Sequence, residues 1–311
     1  MQLNDRIGRR LKLRDLNIFL AVVKDGGMSK AAAELAISQP AVSKSIADME
    51  YTLGAPLLDR TPYGVEPTLY GRALIKRSNV IFDELRQCVK DIEFLADPTA
   101  GEVRIGSTGP LAGGIVAAVI ERLNRRHPRI LFQVVQADLN RLQHELRDRN
   151  IEFAIGRAPA PISDENMQSE VLFNDRLLVV AGPRNKWVRR REIKLAELLN
   201  EPWVLPPSDS IAASLIADAF RASGLGPPRA TVSADGGRLG TYLVASGRFL
   251  TVLPESMIRL SAKHLPVKVL PVDIPNLARP VVIVTIKNRT LSPVAKLFIE
   301  CVRDVAEPFA G

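Results

Sequence analysis

The sequence predicts a helical N-terminal module followed by an α/β domain. Up to about residue 96, apolar residues recur with the period of helices and strand-like runs are scarce. Beyond residue 102, short runs rich in Val, Ile and Leu alternate with helical stretches, which favours a largely parallel sheet. These strand-like runs are Val103–Ile105, Ile130–Val135, Phe153–Ile155, Leu177–Val180, Trp203–Leu205, Leu250–Leu253 and Val281–Thr285.

Three helices are predicted at the start of the chain. The first, within residues 13–26, has one apolar face formed by Leu16, Phe19, Leu20 and Val23. We expect Ser29 to N-cap a second helix, Lys30–Ala36. Ser38 is expected to N-cap a third helix, residues 39 to about 52, because Pro40 then falls in its first turn. Two short helices joined by a tight turn are typical of a helix-turn-helix.

The third helix carries the residues that a DNA major groove would meet. Gln39, Ser43 and Lys44 lie close to one face, at i, i+4 and i+5. The residues expected on the inner side are Ala41, Val42, Ile46 and Met49. A glutamine amide can bond an adenine edge, and a lysine can reach guanine acceptors or phosphate. The face therefore favours double-stranded DNA as a partner, with a three-helix bundle that has a polar helix as the rival interpretation.

A β-wing is predicted after this helix. Residues 57–68 hold two prolines and a glycine between short apolar pieces. Arg60 and Thr61 lie inside the segment and are candidates for phosphate or minor-groove contacts.

A long helix is predicted from Thr68 to about Ala96, roughly 40 Å at 1.5 Å per residue. Its 4-3 spaced positions are Leu74, Ser78, Ile81, Leu85, Cys88, Ile92 and Leu95. This is a heptad seam broken only by Ser78, along which two subunits could pair and present two recognition helices to a two-fold DNA site. The alternative is a single helix packed on its own domain. A proline and a glycine in the following segment, Ala96–Gly101, predict a hinge.

Candidate ligand-binding residues follow the first three strands of the α/β domain. Ser107 and Thr108 precede a helix N-terminus, which attracts anions. Asp138 and Arg157 follow the next two strands, and ligands of open α/β sheets bind beyond the carboxyl ends of the strands. Arg157 could clamp a carboxylate or form a surface salt bridge, and Asp138 could simply cap the next helix.

Residues 31–74 resemble the winged helix-turn-helix of the LysR-type transcriptional regulators. The matching residues are Ala31, Ala32, Leu35, Ser38, Gln39, Pro40, Ala41, Val42, Ser43, Ile46, Glu50, Leu53, Gly54, Leu57, Arg60, Thr68 and Gly71. The sequence departs from the family pattern at Leu58, Pro67 and Lys44, where Phe, Leu and Arg are usual, and residues 1–12 precede the usual start. The likeness continues through the linker helix and the α/β domain.

The resemblance implies a fold and an activity. The fold would be a winged helix-turn-helix (1–67), a linker and dimerisation helix (68–96), a hinge (97–101) and a two-lobed, periplasmic-binding-protein-like effector domain (102–311). Lobe I would span about 102–171 and 275–311, and lobe II about 172–274. The activity would be sequence-specific transcription regulation that responds to a small effector, a carboxylate or sugar-like metabolite linked to uptake or catabolism. The implied partners are promoter DNA, the effector, RNA polymerase and the chain itself, as a homodimer through the linker helix and a homotetramer.

The resemblance also assigns site residues. Those implied at DNA are Ser38, Gln39, Pro40, Ser43, Lys44, Arg60 and Thr61. Those implied at the effector are Ser107, Thr108, Asp138, Arg157, Pro207 and Ser208. Ser38 and Pro40 also have a simpler explanation, because they shape the start of the third helix. Effector identity, target genes and the choice between activator and repressor stay open.

Composition and motifs disfavour the other classes of protein. The net charge is +8, but residues 1–96 contribute only +2, so charge alone does not mark a nucleic-acid module. HExxH, GxSxG and CxxC motifs do not occur, and His127, His144 and His264 lack metal-ligand spacing, so we expect no enzyme, metal or cofactor. Two distant cysteines and no visible signal peptide or membrane span predict a cytoplasmic protein rather than a periplasmic solute-binding one.

Overall fold

The chain divides into two compact units, Met1–Cys88 and Val89–Gly311. The computed structural model describes residues 11–61, 64–158, 162, 164–208, 210–234, 238–261, 265–275 and 278–310, without the side chains of Arg60, Ile211 and Arg238. None of the helices in these ranges is both long and apolar enough to cross a membrane.

The first unit is a small helical domain with one hairpin. Its elements are α1 (Leu13–Asp25), α2 (Met28–Glu34), α3 (Gln39–Leu53), β1 (Leu58–Thr61), β2 (Gly64–Pro67) and the beginning of α4 (Leu69–Ala96). Phe19, Val22, Val42, Ile46 and Met49 are almost completely buried at its centre. The strands β1 and β2 pair antiparallel, so the predicted wing is present. The predicted inner face of α3 is also found, although Ala41 is only half-buried.

The two predicted N-caps have different outcomes. The Ser38 hydroxyl accepts a hydrogen bond from the Ala41 amide at 3.4 Å, as predicted. The prediction that Ser29 caps the second helix is wrong. Gly26 ends α1 in the left-handed conformation (φ 70°) and Gly27 is extended, so α2 already begins at Met28 and Ser29 lies exposed in its first turn. The two glycines therefore complete the turn between α1 and α2 by themselves, one residue earlier than a cap at Ser29 would allow.

The second unit is built on one mixed sheet with helices packed on it. Its strands are β3 (Ala100–Ser107), β4 (Arg129–Gln136), β5 (Phe153–Arg157), β6 (Met167–Ala181), β7 (Trp203–Leu205), β8 (Ala230–Ser233), β9 (Leu250–Pro254), β10 (Lys268–Val269) and β11 (Ala278–Ile286). Its helices are α5 (Gly109–Leu111), a π-helical segment (Ala112–Val116), α6 (Ala117–Arg126), α7 (Leu139–Arg147), α8 (Ile211–Ala222), α9 (Arg238–Ala245), α10 (Glu255–Leu260) and α11 (Pro293–Ala306). The strand order is β4-β3-β5-β11-β6-β9-β7-β8, with β10 paired to β6.

The prediction of a largely parallel sheet is wrong. β3 runs parallel to β4 and β5, and β7 runs parallel to β8 and β9. β6 and β11 run antiparallel to all of their partners. These two strands carry the chain from one half of the sheet to the other and back, so they must oppose the strands of each half.

The crossing strand β6 divides the unit into two lobes with separate cores. Its first part, up to Arg176, pairs with β11, and its last part, from Leu177, pairs with β9. The core of one half is centred on residues that include Ile105, Phe153 and Phe298. The core of the other half is centred on residues that include Trp203, Phe220 and Leu250.

Helix α4 leaves a line of apolar side chains exposed in the single chain. Ile81 and Leu85 are 41% and 42% exposed, and Ile92 and Leu95 are 63% and 81% exposed. At the start of the predicted seam, by contrast, Ser78 is fully buried. Leu74 packs on the core of the first unit. The seam available to a partner is therefore shorter than the sequence predicts and begins at Ile81.

Replacing a residue in the middle of this seam tests whether two chains pair there. Leu85→Asp would bury one unpaired carboxylate from each chain, which is strongly unfavourable. We expect the full-length variant to sediment with a lower mass than the wild type. Ala73→Asp is the matched control, because Ala73 is exposed on the same helix but outside the 4-3 spacing. Sedimentation of Leu85→Asp at the wild-type mass would show that the seam does not hold the assembly together.

Candidate DNA-binding surface and effector site

The predicted base-reading residues lie together on the outer face of α3. Gln39, Pro40 and Lys44 are exposed and Ser43 is half-buried. The helix is fixed from behind by a part-buried hydrogen bond of 2.8 Å from the Ser45 hydroxyl to Asp15 of α1. The first two turns of α3 thus present an amide, a hydroxyl and an ammonium group on a rigid support, as base recognition requires.

Glu50 attaches the wing to the recognition helix. Its Oε1 accepts hydrogen bonds from the backbone amides of Leu57 at 2.7 Å and Leu58 at 3.3 Å. Thr68 secures the other end of the wing, because its hydroxyl donates to the Pro56 carbonyl at 2.7 Å and accepts from the Gly71 amide at 3.0 Å. The sequence marks Glu50 and Thr68 only as members of a motif, and their hydrogen bonds explain why these residue types occur there.

The wing also rests against the turn between α1 and α2. The Val65 amide donates to the Gly26 carbonyl at 3.2 Å. A β-carbon on Gly64, whose φ is 137°, would lie 2.2 Å from that carbonyl oxygen, so only glycine fits. Thr61, a predicted DNA contact, is half-buried, and its hydroxyl donates to the Gly64 carbonyl at 3.3 Å. The Arg60 side chain lies outside the described residues, so the DNA contacts of Arg60 and Thr61 stay predictions.

An ion pair joins the helices that precede the recognition helix. Lys24 of α1 lies 2.8 Å from Glu34 of α2. A hydrogen bond from Lys24 lowers the pKa of the Glu34 carboxyl, which is therefore ionised and paired at neutral pH. This pairing leaves less uncompensated negative charge in a unit that is predicted to approach the phosphates of DNA.

The carboxyl ends of β3, β4 and β5 lie side by side, as the sequence predicts. Ser107 at the end of β3 is in register with Gln136 of β4 and Ile155 of β5. The Ser107 side chain is fully buried and its hydroxyl donates to the Thr108 carbonyl at 3.2 Å. Thr108 precedes α5, and its amide donates to the Ile155 carbonyl at 3.2 Å. Ser107 and Thr108 thus lie at the same edge as Arg157, the last residue of β5.

The other predicted effector residues have local structural roles. Asp138 N-caps α7, since its carboxylate accepts from the Arg141 amide at 3.0 Å. Pro207 accepts from the Ser210 amide at 2.9 Å in the turn before α8, in the other lobe. Among the described residues, no hydrogen bond or ion pair joins Pro207 or Ser208 to Ser107 or Thr108. Effector contacts by Asp138, Pro207 and Ser208 stay predictions.

Arg157 forms a largely buried ion pair rather than a surface salt bridge. Its side chain reaches over β11 to Asp175 of β6, with Nη2 and Oδ2 2.7 Å apart. The Arg157 and Asp175 side chains are 17% and 1% exposed. Asp175 also accepts from Ser256 at the start of α10, from the hydroxyl at 2.6 Å and from the amide at 3.1 Å. One carboxylate therefore connects two strands and a helix.

The same arginine keeps a buried donor without an acceptor. Its Nε is inaccessible to solvent and has no hydrogen-bond partner in the described part of the chain. An unsatisfied buried donor costs about 1–3 kcal/mol, which a suitably placed ligand oxygen would recover. Asp175 was missed at the sequence level, although an acidic residue inside the apolar strand pattern around Phe173 and Leu177 is the signal of a buried partner.

A π-helical segment connects this edge of the sheet to α10. It follows α5 over Ala112–Val116, and π-helical turns occur frequently at functional sites. The Ser261 hydroxyl donates to the Gly113 carbonyl at 2.6 Å. A β-carbon on Gly114 would lie 3.0 Å from Met257 Cα, so α10 packs directly on this backbone. The described residues contain no group of three or more His, Cys, Asp or Glu that could hold a metal ion.

Replacement of Glu50 should loosen the wing. Glu50→Ala removes the acceptor of two amides, which costs about 1–3 kcal/mol of the free energy of unfolding. Glu50→Gln keeps an acceptor oxygen and should lose much less. Urea unfolding of the full chain, followed by circular dichroism, measures both variants. Equal losses in the two variants would contradict the role of the Oε1 hydrogen bonds.

Two family models match the chain, one within each of the two units. The model described as a bacterial regulatory helix-turn-helix protein of the lysR family matches residues 13–72. The model described as the LysR substrate binding domain matches residues 96–307. Together they cover all but the ends of the chain and most of α4.

Relatives and solved structures extend over the whole chain. This chain is 29% identical over 299 residues to the HTH-type transcriptional regulator GbpR of Azospirillum brasilense. The match covers 96% of this chain and 87% of GbpR. It is 27% identical to the transcriptional dual regulator GltC of Bacillus subtilis, over 94% of this chain and 96% of that protein. A full-length OxyR variant from Pseudomonas aeruginosa shares the fold with a TM-score of 0.64 at 18% identity, over 96% of this chain and 95% of that one. Full-length CbnR in complex with its target DNA shares the fold with a TM-score of 0.54 at 20% identity. This match covers 95% of this chain and 100% of the CbnR chain.

The family consists of transcription regulators and not of enzymes, which agrees with the lack of catalytic motifs in the sequence. Since each unit of the structure matches its own model and the relatives span both, this chain belongs to the LysR-type transcriptional regulators, which bind DNA and carry a substrate-binding domain.

Proposed function

We propose that this regulator reads promoter DNA through the outer face of α3 and its wing, and that a small effector at the carboxyl ends of β3–β5 controls it. The supporting observation for DNA is the first two turns of α3, where Gln39 and Lys44 are exposed and Ser43 is half-buried. Two such faces, held by a dimer along α4, would fit a two-fold DNA site.

The effector would carry a carboxylate or another oxygen-rich acceptor group. The observation behind this proposal is the buried, unpartnered Nε of Arg157, the last residue of β5, at the same edge of the sheet as Ser107 and Thr108. Arg157 uses only one of its five N–H donors on Asp175, so an acceptor could bind the rest of the guanidinium. Arg157 would then join effector binding to the strand that links the lobes.

A neutral, sugar-like metabolite is the second candidate. Asp175 already compensates the charge of Arg157, and a site with no net charge attracts an anion less strongly. A polyol could still offer lone pairs to the free donors and donate its own hydroxyl groups to backbone carbonyls.

The assembly and its setting are proposals as well. The exposed seam Ile81–Leu95 would hold a homodimer, and two dimers would form a homotetramer. RNA polymerase would be the partner through which promoter binding changes transcription. Since its relatives are bacterial regulators, the protein would act in the cytoplasm, where the chromosome lies.

Gln39→Ala should lower specific binding and relax sequence choice. Loss of a base-edge contact costs about 1–3 kcal/mol of binding free energy. The measurement is a gel shift that compares DNA upstream of the protein's own gene with random DNA. Arg60→Ala is the contrasting variant, because loss of a phosphate contact weakens binding to all sequences. It should also reduce the slope of log affinity against log salt concentration by about one. The base-reading role fails if Gln39→Ala leaves the ratio of specific to random affinity unchanged.

Arg157→Ala should abolish effector binding while DNA binding persists. A thermal-shift screen of sugars and organic acids on the full chain would first find the effector, since a ligand at a hundred times its Kd stabilises by about 2.7 kcal/mol. Calorimetric titration then compares the variant with the wild type. Because the substitution strands the buried Asp175, the double variant Arg157→Met, Asp175→Asn is measured in parallel.

Arg147→Ala is the matched control, since Arg147 pairs with Asp164 at 2.8 Å and has no predicted effector role. It should bind the effector as the wild type does. Unchanged affinity in both Arg157 variants would reduce Arg157 to a structural ion pair and favour the neutral ligand.

A further inference from the structure

A dense run of positive charge lies outside the DNA-binding unit. Residues 184–191 contain five Lys or Arg and no Asp or Glu, in a chain whose net charge is +8. Residues 1–96, which include the winged helix-turn-helix, contribute a net charge of only +2. The first unit therefore has little of the excess positive charge that attracts a protein to DNA of any sequence.

This run is held on a rigid backbone. It follows β6 and contains one 3₁₀ turn, Lys186–Arg189. The buried Asn185 side chain accepts a hydrogen bond from the Trp187 amide at 3.0 Å. The Trp187 ring is buried in the core of the lobe that also contains Trp203. Because these two inward side chains fix the turn, the cationic side chains between them project from a defined surface.

Two cations of the run have acidic partners. Lys186 pairs with Glu201 at 2.7 Å, and Arg190 pairs with Glu197 at 2.9 Å. The same two cations lie over the Trp187 ring, at 5.3 Å and 5.8 Å from its centroid. Their positions are therefore set by the protein itself, and they hold positive charge close to their neighbours.

Four arginines at this surface have no counter-ion. Arg184, Arg189 and Arg191 are exposed, and their side chains form no hydrogen bond or ion pair with the described part of the chain. Arg248 lies next to them, since a β-carbon on Gly247 would lie 3.0 Å from the Cβ of Arg184. Arg248 is also exposed and has no ion pair among the described residues. We call the following group the basic surface: Arg184, Lys186, Arg189, Arg190, Arg191 and Arg248.

The chemistry of the basic surface fits phosphate. A planar guanidinium group can donate two parallel hydrogen bonds to phosphate oxygens. Unpaired cations on one surface repel one another, and a polyanion relieves this repulsion. Runs rich in Lys and Arg are typical of surfaces that bind nucleic acid.

DNA is the polyanion that the chain itself brings to this surface. The first unit matches a DNA-binding family model, so the duplex it holds is present at a high effective concentration for the rest of the same chain. A separate acidic protein has no such advantage. The phosphates available to the second unit are those beside the sequence that α3 reads.

We infer that the basic surface binds phosphates of the DNA that flanks the sequence read by α3, and that it supplies much of the affinity that does not depend on sequence. Phosphate contacts carry no sequence information, so this surface adds affinity without changing the preferred site. The inference adds a second DNA-contacting surface to the proposed function and rests on the DNA-binding activity of the family.

The test is the salt dependence of DNA binding by the full-length wild type and the triple variant Arg184→Gln, Arg189→Gln, Arg191→Gln. Affinity is measured by fluorescence anisotropy on two duplexes cut from the DNA upstream of the protein's own gene. The short duplex ends at the edges of the half-sites, and the long duplex extends about two helical turns beyond them on each side.

The triple variant should lose affinity on the long duplex only. There the slope of log affinity against log salt concentration should decrease by about three, because each phosphate contact contributes about 0.9. The affinity at low salt should fall by about tenfold or more. The ratio of specific to random affinity should stay at the wild-type value, whereas Gln39→Ala lowers it, so failures of the two surfaces are distinguishable.

The control for net charge is the triple variant Arg126→Gln, Lys287→Gln, Lys296→Gln. These side chains are exposed and have no ion pair within the part of the chain that the structure describes. The control removes the same charge away from the basic surface and should bind both duplexes as the wild type does, because distant charges are screened beyond about 10 Å at 0.1 M salt. Both triple variants should unfold at the wild-type temperature, which thermal denaturation checks.

Three results would overturn the inference. Unchanged slope and affinity on the long duplex would show that the basic surface does not bind DNA and would leave an acidic protein as its partner. An equal loss in the control variant would show that only net charge matters. An equal loss on the short duplex would place the contact inside the site rather than beside it.

Discussion

The buried Asp175 carboxylate is the interaction on which the geometry of the second unit depends. It lies where β6 leaves one half of the sheet for the other, and it accepts hydrogen bonds from Arg157 and Ser256. A buried carboxylate is tolerated only with such compensation, and removing one partner of a buried pair costs about 3–5 kcal/mol. The ends of β5, β6 and α10 are therefore held in one arrangement, and any ligand that binds Arg157 acts on all three.

The first unit obtains its geometry in a different way, from separate hydrogen bonds to backbone groups of the wing and its ends. The wing is held by Glu50 at its start, by Thr68 at its end and by the Gly26 carbonyl at its turn. The Glu50 bond joins the wing to α3 and the Gly26 bond joins it to the end of α1, whereas the Thr68 bond to Pro56 ties the two ends of the wing together. The positions of wing and recognition helix are thereby linked, which matters because both would contact the same DNA duplex.

Much of this arrangement could be predicted from the sequence because the signals are local. Periodicity located the helices, Ser38 and Pro40 marked the start of α3, and the strands β3, β4 and β5 were recognised from short apolar runs. The grouping of their carboxyl ends at one edge follows from the rule for parallel sheets, and Ser107 and Arg157 do lie at that edge.

The errors concern features that depend on distant parts of the chain. The antiparallel direction of β6 and β11 is set by the connection between the lobes and leaves no local pattern. The partner of Arg157 lies 18 residues away on a strand that is not its neighbour. The loss of Ser78 from the seam arises from packing within the chain, which heptad spacing cannot show. Ser29 was misassigned because a glycine pair competes with a serine cap.

The π-helical segment lets the chain between β3 and β4 hold one residue more than a regular helix without disturbing the core. A π-turn closes over one residue more than an α-turn, so the segment Ala112–Val116 takes up an extra residue within an otherwise α-helical stretch. Because the extra residue is absorbed locally, the helix after it keeps its orientation, with Val119 and Leu123 buried. Deleting one residue here would restore a regular α-turn and leave these two side chains in the core. It would remove the widened turn whose Gly113 carbonyl accepts from Ser261, so a change of length in this segment should alter the contact with α10 rather than the core.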